Sequence, residues 1–327
     1  LNTYRLSLAP LALLAAIAVA AAAVLSTPGM VPRARASQAV GAKIAGDVLR
    51  IQGTHRDDRI TLRLNARDTD VIEIDVGDDG SADFSFDRSR FARISVKSQH
   101  GDDLIRVDEA NGAIVEPTSI SGGSGDDTLL GGSAIETIAG GPGDDFIDGN
   151  RANDIALMGP GKDTFRWDPG DASDVIEGGS GSDTFLFNGA DAAENVALSA
   201  SGERLTFFRN PGNITMDMNG VEVAVFNALG GGDTVTVNEL ASTDALNVQV
   251  NLASAQGGGD GQSDRVTVNG TTGDDEIAVS GTAGGASVTG LSATVYVTTA
   301  EAANDRLDVI TGLGNDTVDA EALAGGV

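Results

Sequence analysis

GGSGDDTLL (122–130), GGSAIETIA (131–139), GGPGDDFID (140–148), GNRANDIAL (149–157) and MGPGKDTFR (158–166) divide the centre of the chain into units of nine residues. An eleven-residue unit, WDPGDASDVIE (167–177), interrupts the period before a further copy, GGSGSDTFL (178–186). The shared template is Gly-Gly-x-Gly-x-Asp-x-U-x, where U is usually a large apolar residue. The U positions hold Leu129, Ile138, Ile147, Ala156, Phe165, Ile176 and Phe185. One copy would carry little weight. Seven consecutive units are the signature of a repeat fold in which each unit stacks on its neighbours.

The residue types say what a unit does. Glycine reaches backbone angles closed to other residues, so the first half of the unit turns tightly and aims its carbonyls at one point. The aspartate adds a hard anionic oxygen of the kind calcium prefers, and calcium takes six to eight oxygens in all. The x-U-x tail is a very short strand with its apolar side chain turned inward. Two units then make one coil of eighteen residues, with a turn at each edge. The expected fold is all-β: a parallel β-roll or β-solenoid of glycine–aspartate nonapeptides flanked by further short-strand β segments. Gly-Asp turns also occur in calcium-free solenoids, where the aspartate caps its own backbone. That alternative stays open for every turn, and for the damaged units it is the preferred reading.

Residues 122–186 resemble the hemolysin-type calcium-binding repeats of the RTX family. The longer chain is similar to multi-repeat bacterial calcium-binding proteins of unassigned role. The resemblance implies ions held between turns on the same edge, by glycine-rich backbone carbonyls and aspartate carboxylates. Same-edge turns lie two units apart. The intact motifs begin at 122, 140, 158 (with Met158 for the first glycine) and 178, and all fall on one edge. The implied calcium ligands are Gly123, Gly125 and Asp127; Gly141, Gly143 and Asp145; Gly159, Gly161 and Asp163; Gly179, Gly181 and Asp183. Three ions are expected, between turns 122/140, 140/158 and 158/178. The damaged motifs fall on the other edge: Ala134 and Glu136 stand in the second unit, Asn150 and Ala152 in the fourth, and Trp167-Asp168-Pro169 in the sixth. That edge is expected to be largely empty. The resemblance covers about a fifth of the chain.

Outside this block a looser Asp-x-U-x-U unit recurs, with acid pairs eleven residues apart: Asp47/Asp58, Asp233/Asp244, Asp264/Asp275 and Asp305/Asp316. Alternating apolar and polar residues predict short strands throughout. Val71–Val76, GDDG and Ala82–Phe86 read as a hairpin. The expected divisions are a 37–121 N-terminal β segment, the 122–186 roll, a 187–230 segment and 231–327. Strands near 204–208, 213–218 and 221–226 are expected to cap the open end of the roll, because solenoids need their ends covered. Residues 231–327 read either as more solenoid or as a separate sandwich. Asp58, Asp103, Asp275 and Asp316 lie in isolated turns, for which the structural reading is preferred.

Composition bounds the function. The chain has 327 residues, a net charge of −27, 44 glycines and no cysteine. Such acidity excludes the basic footprint that nucleic acid requires. Without cysteine an exported chain has no disulfides, and metal is the remaining cross-link. Residues 1–36 read as a secretion signal: Arg5, an apolar run from Leu6 to Leu25, and Ala34-Arg35-Ala36 before Ser37. A retained anchor is the alternative, since about 20 apolar residues span a bilayer. No later segment is expected to cross a membrane. Catalytic signatures are missing: there is no H-E-x-x-H, no G-x-S-x-G, and only His55 and His100, far apart in sequence. The expectation is a non-enzymatic, secreted or surface-located calcium-binding protein whose roll folds on extracellular calcium. The rivals are an accessory region of a larger secreted enzyme and a surface adhesin that binds cell-surface or matrix polysaccharide.

Overall fold

The computed structural model describes residues 39–282 and 284–323, and the expected signal at 1–36 lies outside them. Two large β-sheets, of thirteen and fourteen strands among the described residues, face each other across one core. The chain passes from the first sheet to the second and back, so each coil adds one strand to each, and most neighbours are parallel. The fold is an all-β parallel roll, as the nonapeptide pattern predicts.

Register explains why the short x-U-x strands hold. In the first sheet Ile51, Val96, Ile120, Ile138, Ala156, Ile176 and Met218 are directly paired neighbours. In the second, Ile60, Ile105, Leu129, Ile147, Phe165, Phe185, Ala224, Val248 and Val295 form the matching row. Every member of both rows is buried. The U positions therefore alternate between two stacks, and each stack buries a continuous apolar ridge that no single unit could bury alone. Where Ala156 leaves the ridge thin, aromatics fill the next layers, with Trp167 stacked on Phe187 at 4.0 Å between ring centres.

The roll is wider than the nonapeptide block. The hairpin Gly41–Ala45/Val48–Gln52 closes the N-terminal side of one sheet. The antiparallel run Arg59–Asn65, Asp68–Val76, Phe84–Asp87 closes the other and contains the expected hairpin of Val71–Val76 and Ala82–Phe86.

Residues 187–230 differ from expectation. Asn195–Ser201, Arg204–Asn210 and Ile214–Asn219 form an antiparallel meander, but they do not end the roll. The meander is spliced into the first sheet. Ile214–Asn219 pairs in parallel with Val175–Gly181 on one side, and Asn195–Ser201 with Thr234–Val237 on the other. The physical reason is that every strand of the meander still turns apolar side chains inward, so its outer edge can accept another coil. A second meander, Glu276–Thr282, Gly285–Thr289 and Thr294–Thr298, is spliced into the second sheet in the same way. Residues beyond 231 thus continue the solenoid rather than forming a sandwich of their own. Among the described residues no helix is long and apolar enough to cross a membrane.

Candidate metal centre

From residue 53 to residue 183 each passage from first to second sheet is a six-residue turn, and these turns stack into one edge of the roll. The turns 122–127, 140–145, 158–163 and 178–183 lie there together, as predicted from their two-unit spacing. Two further turns extend the edge toward the N-terminus: GTHRDD (53–58) and SQHGDD (98–103). The backbone ladder runs on into these turns, pairing Gln99 with Gly123, Gly159 with Gly179 and Gly161 with Gly181.

Glycine is required by this closeness. A Cβ on Gly143 would sit 2.0 Å from the Gly125 carbonyl oxygen, and one on Gly161 would sit 1.7 Å from that of Gly143. Gly143 also holds φ +145, in the region that favours glycine. The carbonyls of one turn are thus packed against the Cα atoms of the next.

The last residue of each turn is a buried carboxylate, and these form a ladder. The N–H of Asp58 donates to Asp103 Oδ1 at 2.6 Å, Asp103 to Asp127 at 2.9 Å, and Asp127 to Asp145 at 2.8 Å. Asp145 donates to Asp163 at 2.7 Å and Asp163 to Asp183 at 3.0 Å. Asp183 donates to Glu222 Oε2 at 2.7 Å, across the spliced meander. One oxygen of each carboxylate is therefore satisfied. The other, Oδ2 of Asp103, Asp127, Asp145, Asp163 and Asp183, is buried without a hydrogen-bond partner.

The electrostatics follow from that geometry. Burial pushes the carboxyls of Asp127 and Asp145 up to about 7 and those of Asp103 and Asp183 up to about 6, and it raises Asp163 as well. The N–H of the preceding turn pulls the other way, and neighbouring carboxylates add to the rise. Asp75 shows what a protein partner does instead. It is fully buried, yet the Arg63 guanidinium at 2.6 Å and the N–H groups of Asp79 and Gly80 outweigh the cost of burial and hold it below its ordinary value. No basic side chain plays this part for the aspartate ladder.

Two turns close their own carboxylates. Asp58 accepts from the N–H of Thr54 at 2.5 Å and from its hydroxyl at 3.1 Å. Asp275 accepts both bonds from Thr271 at 2.8 Å. In these turns the structural reading of the Gly-Asp motif holds. Asp103, by contrast, keeps an unpartnered oxygen and belongs with the nonapeptide aspartates.

The opposite edge also carries stacked carboxylates. The N–H of Glu136 donates to Asp154 Oδ1 at 2.7 Å, and that of Asp154 to Asp174 at 2.8 Å. Glu136 Oε2 and Asp154 Oδ2 are buried and unpartnered, and burial raises all three carboxyls. The glycine cradle is what is lost: Asn150 and Ala152 hold positive φ at +58 and +78 where the intact motif has glycine. Further along the same edge Glu194, Asp233, Asp264 and Asp305 repeat the ladder at 2.8, 2.7 and 3.1 Å. These links span 39, 31 and 41 residues, and inserted strands hide them from any fixed-period search. The eleven-residue acid pairs have a simple meaning here: Asp264 and Asp275 stand at opposite edges of one strand, Arg265–Asn269, and its following turn.

His55 and His100, distant in sequence, meet edge to face on adjacent turns with ring centres 4.8 Å apart. Among the described residues no group of three or more His, Cys, Asp or Glu side chains converges as an all-side-chain metal cluster. No protein-family model matches the chain, and no curated protein matches it.

Proposed function

We propose that the chain is a calcium-binding β-roll, a non-catalytic binding or structural protein whose coil stack is completed by the ion. The observation that carries this reading is the row of five buried aspartate Oδ2 atoms without partners along the glycine-rich edge. An unpartnered buried carboxylate oxygen is costly. The chemistry that suits it is a hard cation, and the surrounding donors are backbone carbonyls, the oxygen set calcium accepts. Ions between turns 122/140, 140/158 and 158/178 would draw on Asp127, Asp145, Asp163 and Asp183, and Asp103 adds a further place between turns 98 and 122. The RTX-like residues quoted above supply the same ligand types.

Secretion fits this chemistry. Sites of about 0.1–1 mM affinity fill outside cells and not in cytosol. At ten times its dissociation constant each ion stabilises the fold by about 1.4 kcal/mol. Several sites together match the whole margin of a small domain. The chain would then travel weakly folded, repelled by its own charge, and set on arrival. An adhesin or an accessory region of a larger enzyme would use the same roll.

The test is a thermal melt and a calorimetric titration of the chain with and without millimolar calcium. The expected result is a rise in melting temperature that Asp127→Asn, Asp145→Asn and Asp163→Asn each reduce. An unchanged melt and no heat of binding would sink the reading.

A further inference from the structure

The chain contains two histidines, and the fold brings both to one spot. His55 and His100 occupy the third position of consecutive turns, GTHRDD and SQHGDD, where the following turns carry Ser124, Pro142, Pro160 and Ser180. Parallel stacking places equivalent positions of adjacent turns about 4.8 Å apart. The imidazoles meet at that spacing, at 87° to one another, and both are exposed.

We infer that His55 and His100 chelate a divalent transition-metal ion of the zinc, nickel or copper class, at the N-terminal end of the same edge and through atoms other than the proposed calcium ligands. Three observations converge on this. First, two imidazole nitrogens bound about 2.0–2.1 Å from one tetrahedral ion put their ring centres about 5 Å apart, close to the spacing found. The spacing fits as it stands, and one imidazole must turn about its side-chain bonds to bring a nitrogen to the shared ion. Second, His100 Nδ1 lies 2.5 Å from Ser124 Oγ, a contact that fixes the ring and directs Nε2 elsewhere. Such a second partner is what a ligating histidine ordinarily has. Third, the donor chemistry changes here. At turn 53–58 Arg56 replaces the fourth-position glycine, and Thr54 takes both oxygens of Asp58. The oxygen column proposed for calcium therefore reaches Asp103, in the turn that also carries His100, and does not extend to Asp58. Imidazole suits zinc, copper and nickel, whereas calcium takes oxygen.

The surroundings favour a cation. Asp57, Asp102 and Asp126 run beside the histidines as an exposed column, Asp57 accepting from the Asp102 N–H at 3.0 Å and Asp102 from that of Asp126 at 2.9 Å. Asp57, Asp58, Asp102, Asp103 and Asp126, together with Arg59, line an open groove of about 570 Å³ in which neither histidine takes part. That field raises the local concentration of divalent ions and leaves selectivity to the imidazoles.

The test is calorimetric titration of the full chain with zinc and with nickel, in saturating calcium, alongside copper-loaded electron paramagnetic resonance. One ion per chain is expected, with affinity falling at least about tenfold in His55→Ala or His100→Ala. Asp145→Asn should leave it unchanged, which separates this site from the calcium reading. The copper spectrum should show coupling to two imidazole nitrogens, a readout that needs no variant to fold. Undiminished zinc binding in both histidine variants, displacement of zinc by calcium, no zinc or nickel binding at all, or a copper spectrum lacking nitrogen coupling would each overturn the inference.

Discussion

The two edges of the roll are built on the same strands, yet they differ in one respect. Both carry stacked carboxylates that accept the N–H of the preceding turn: Asp103 to Asp183 on one side, Glu136 to Asp174 on the other. The first also carries unbroken columns of glycine whose carbonyls pack against the next turn, where the second keeps scattered contacts such as Gly131 on the Gly149 carbonyl. The acid ladder is thus part of how coils stack, since it caps N–H groups at every turn whether or not glycine is present. The glycine columns are the added feature, and they mark where an ion would have carbonyls to bind under the proposed reading. On that reading the aspartate alone does not mark a calcium place, and the aspartate with its cradle and an oxygen left over does.

The harshest way to break this comparison is Gly143→Ala. The new Cβ would meet the Gly125 carbonyl at 2.0 Å with the backbone at φ +145. A loss of about 3 kcal/mol or more is expected in urea unfolding, along with the calcium-induced gain. A fully stable variant that still responds to calcium would show that the cradle is not needed.

A milder intervention separates the ladders. Glu136→Gln neutralises a carboxyl that burial and the neighbouring Asp154 already push upward. The calcium-free protein should gain about 1–2 kcal/mol near pH 7, with its calcium response intact. A diminished calcium response would place an ion on the second edge.

Proton linkage gives the next effect. Unfolded aspartates ionise near pH 4. Folded Asp127 and Asp145 keep their proton to about 7, and Asp103 and Asp183 to about 6. Between these limits the native state binds more protons than the unfolded one, so calcium-free stability falls as pH rises from about 4 to about 7. Calcium needs the ionised form, and its affinity should rise over the same window. Melts at pH 5 and pH 8, with calcium and with chelator, read both trends. Greater calcium-free stability at pH 8 than at pH 5 would count against the raised carboxyls.

The smallest effect is expected from Ala152→Gly. Ala152 sits at φ +78, which costs an alanine about 1 kcal/mol, and glycine should recover most of it in a thermal melt. A calcium response gained on that edge would sharpen the case for the cradle further.

Much of this architecture was legible from the nonapeptides. The alternation of U positions assigned Leu129, Ile147, Phe165 and Phe185 to one stack and Ile138, Ala156 and Ile176 to the other, and pairing places them so. The co-edge grouping of Asp127, Asp145, Asp163 and Asp183 was equally readable, because a constant period maps directly onto a constant coil. The cap expected at 187–230 failed for the converse reason. The motif ends at 186, but the apolar alternation that stacks coils does not, and the meander passes both sheets onward. Asp103 and Asp233 were visible in the sequence, through a Gly-Asp-Asp turn and an eleven-residue acid pair, whereas Glu222 and Glu194 offer no such cue.

From the order of its residues alone this chain is committed to short inward-facing strands, tight glycine turns and acids at fixed points within each coil. Those are local properties, set by backbone freedom and by period. Which acids become neighbours, which keep an oxygen without a partner, and that His55 meets His100 are decided by stacking. Coils of unequal length bring residues 18 to 45 positions apart to the same height on an edge, and burial there is a property of the stack rather than of any one turn.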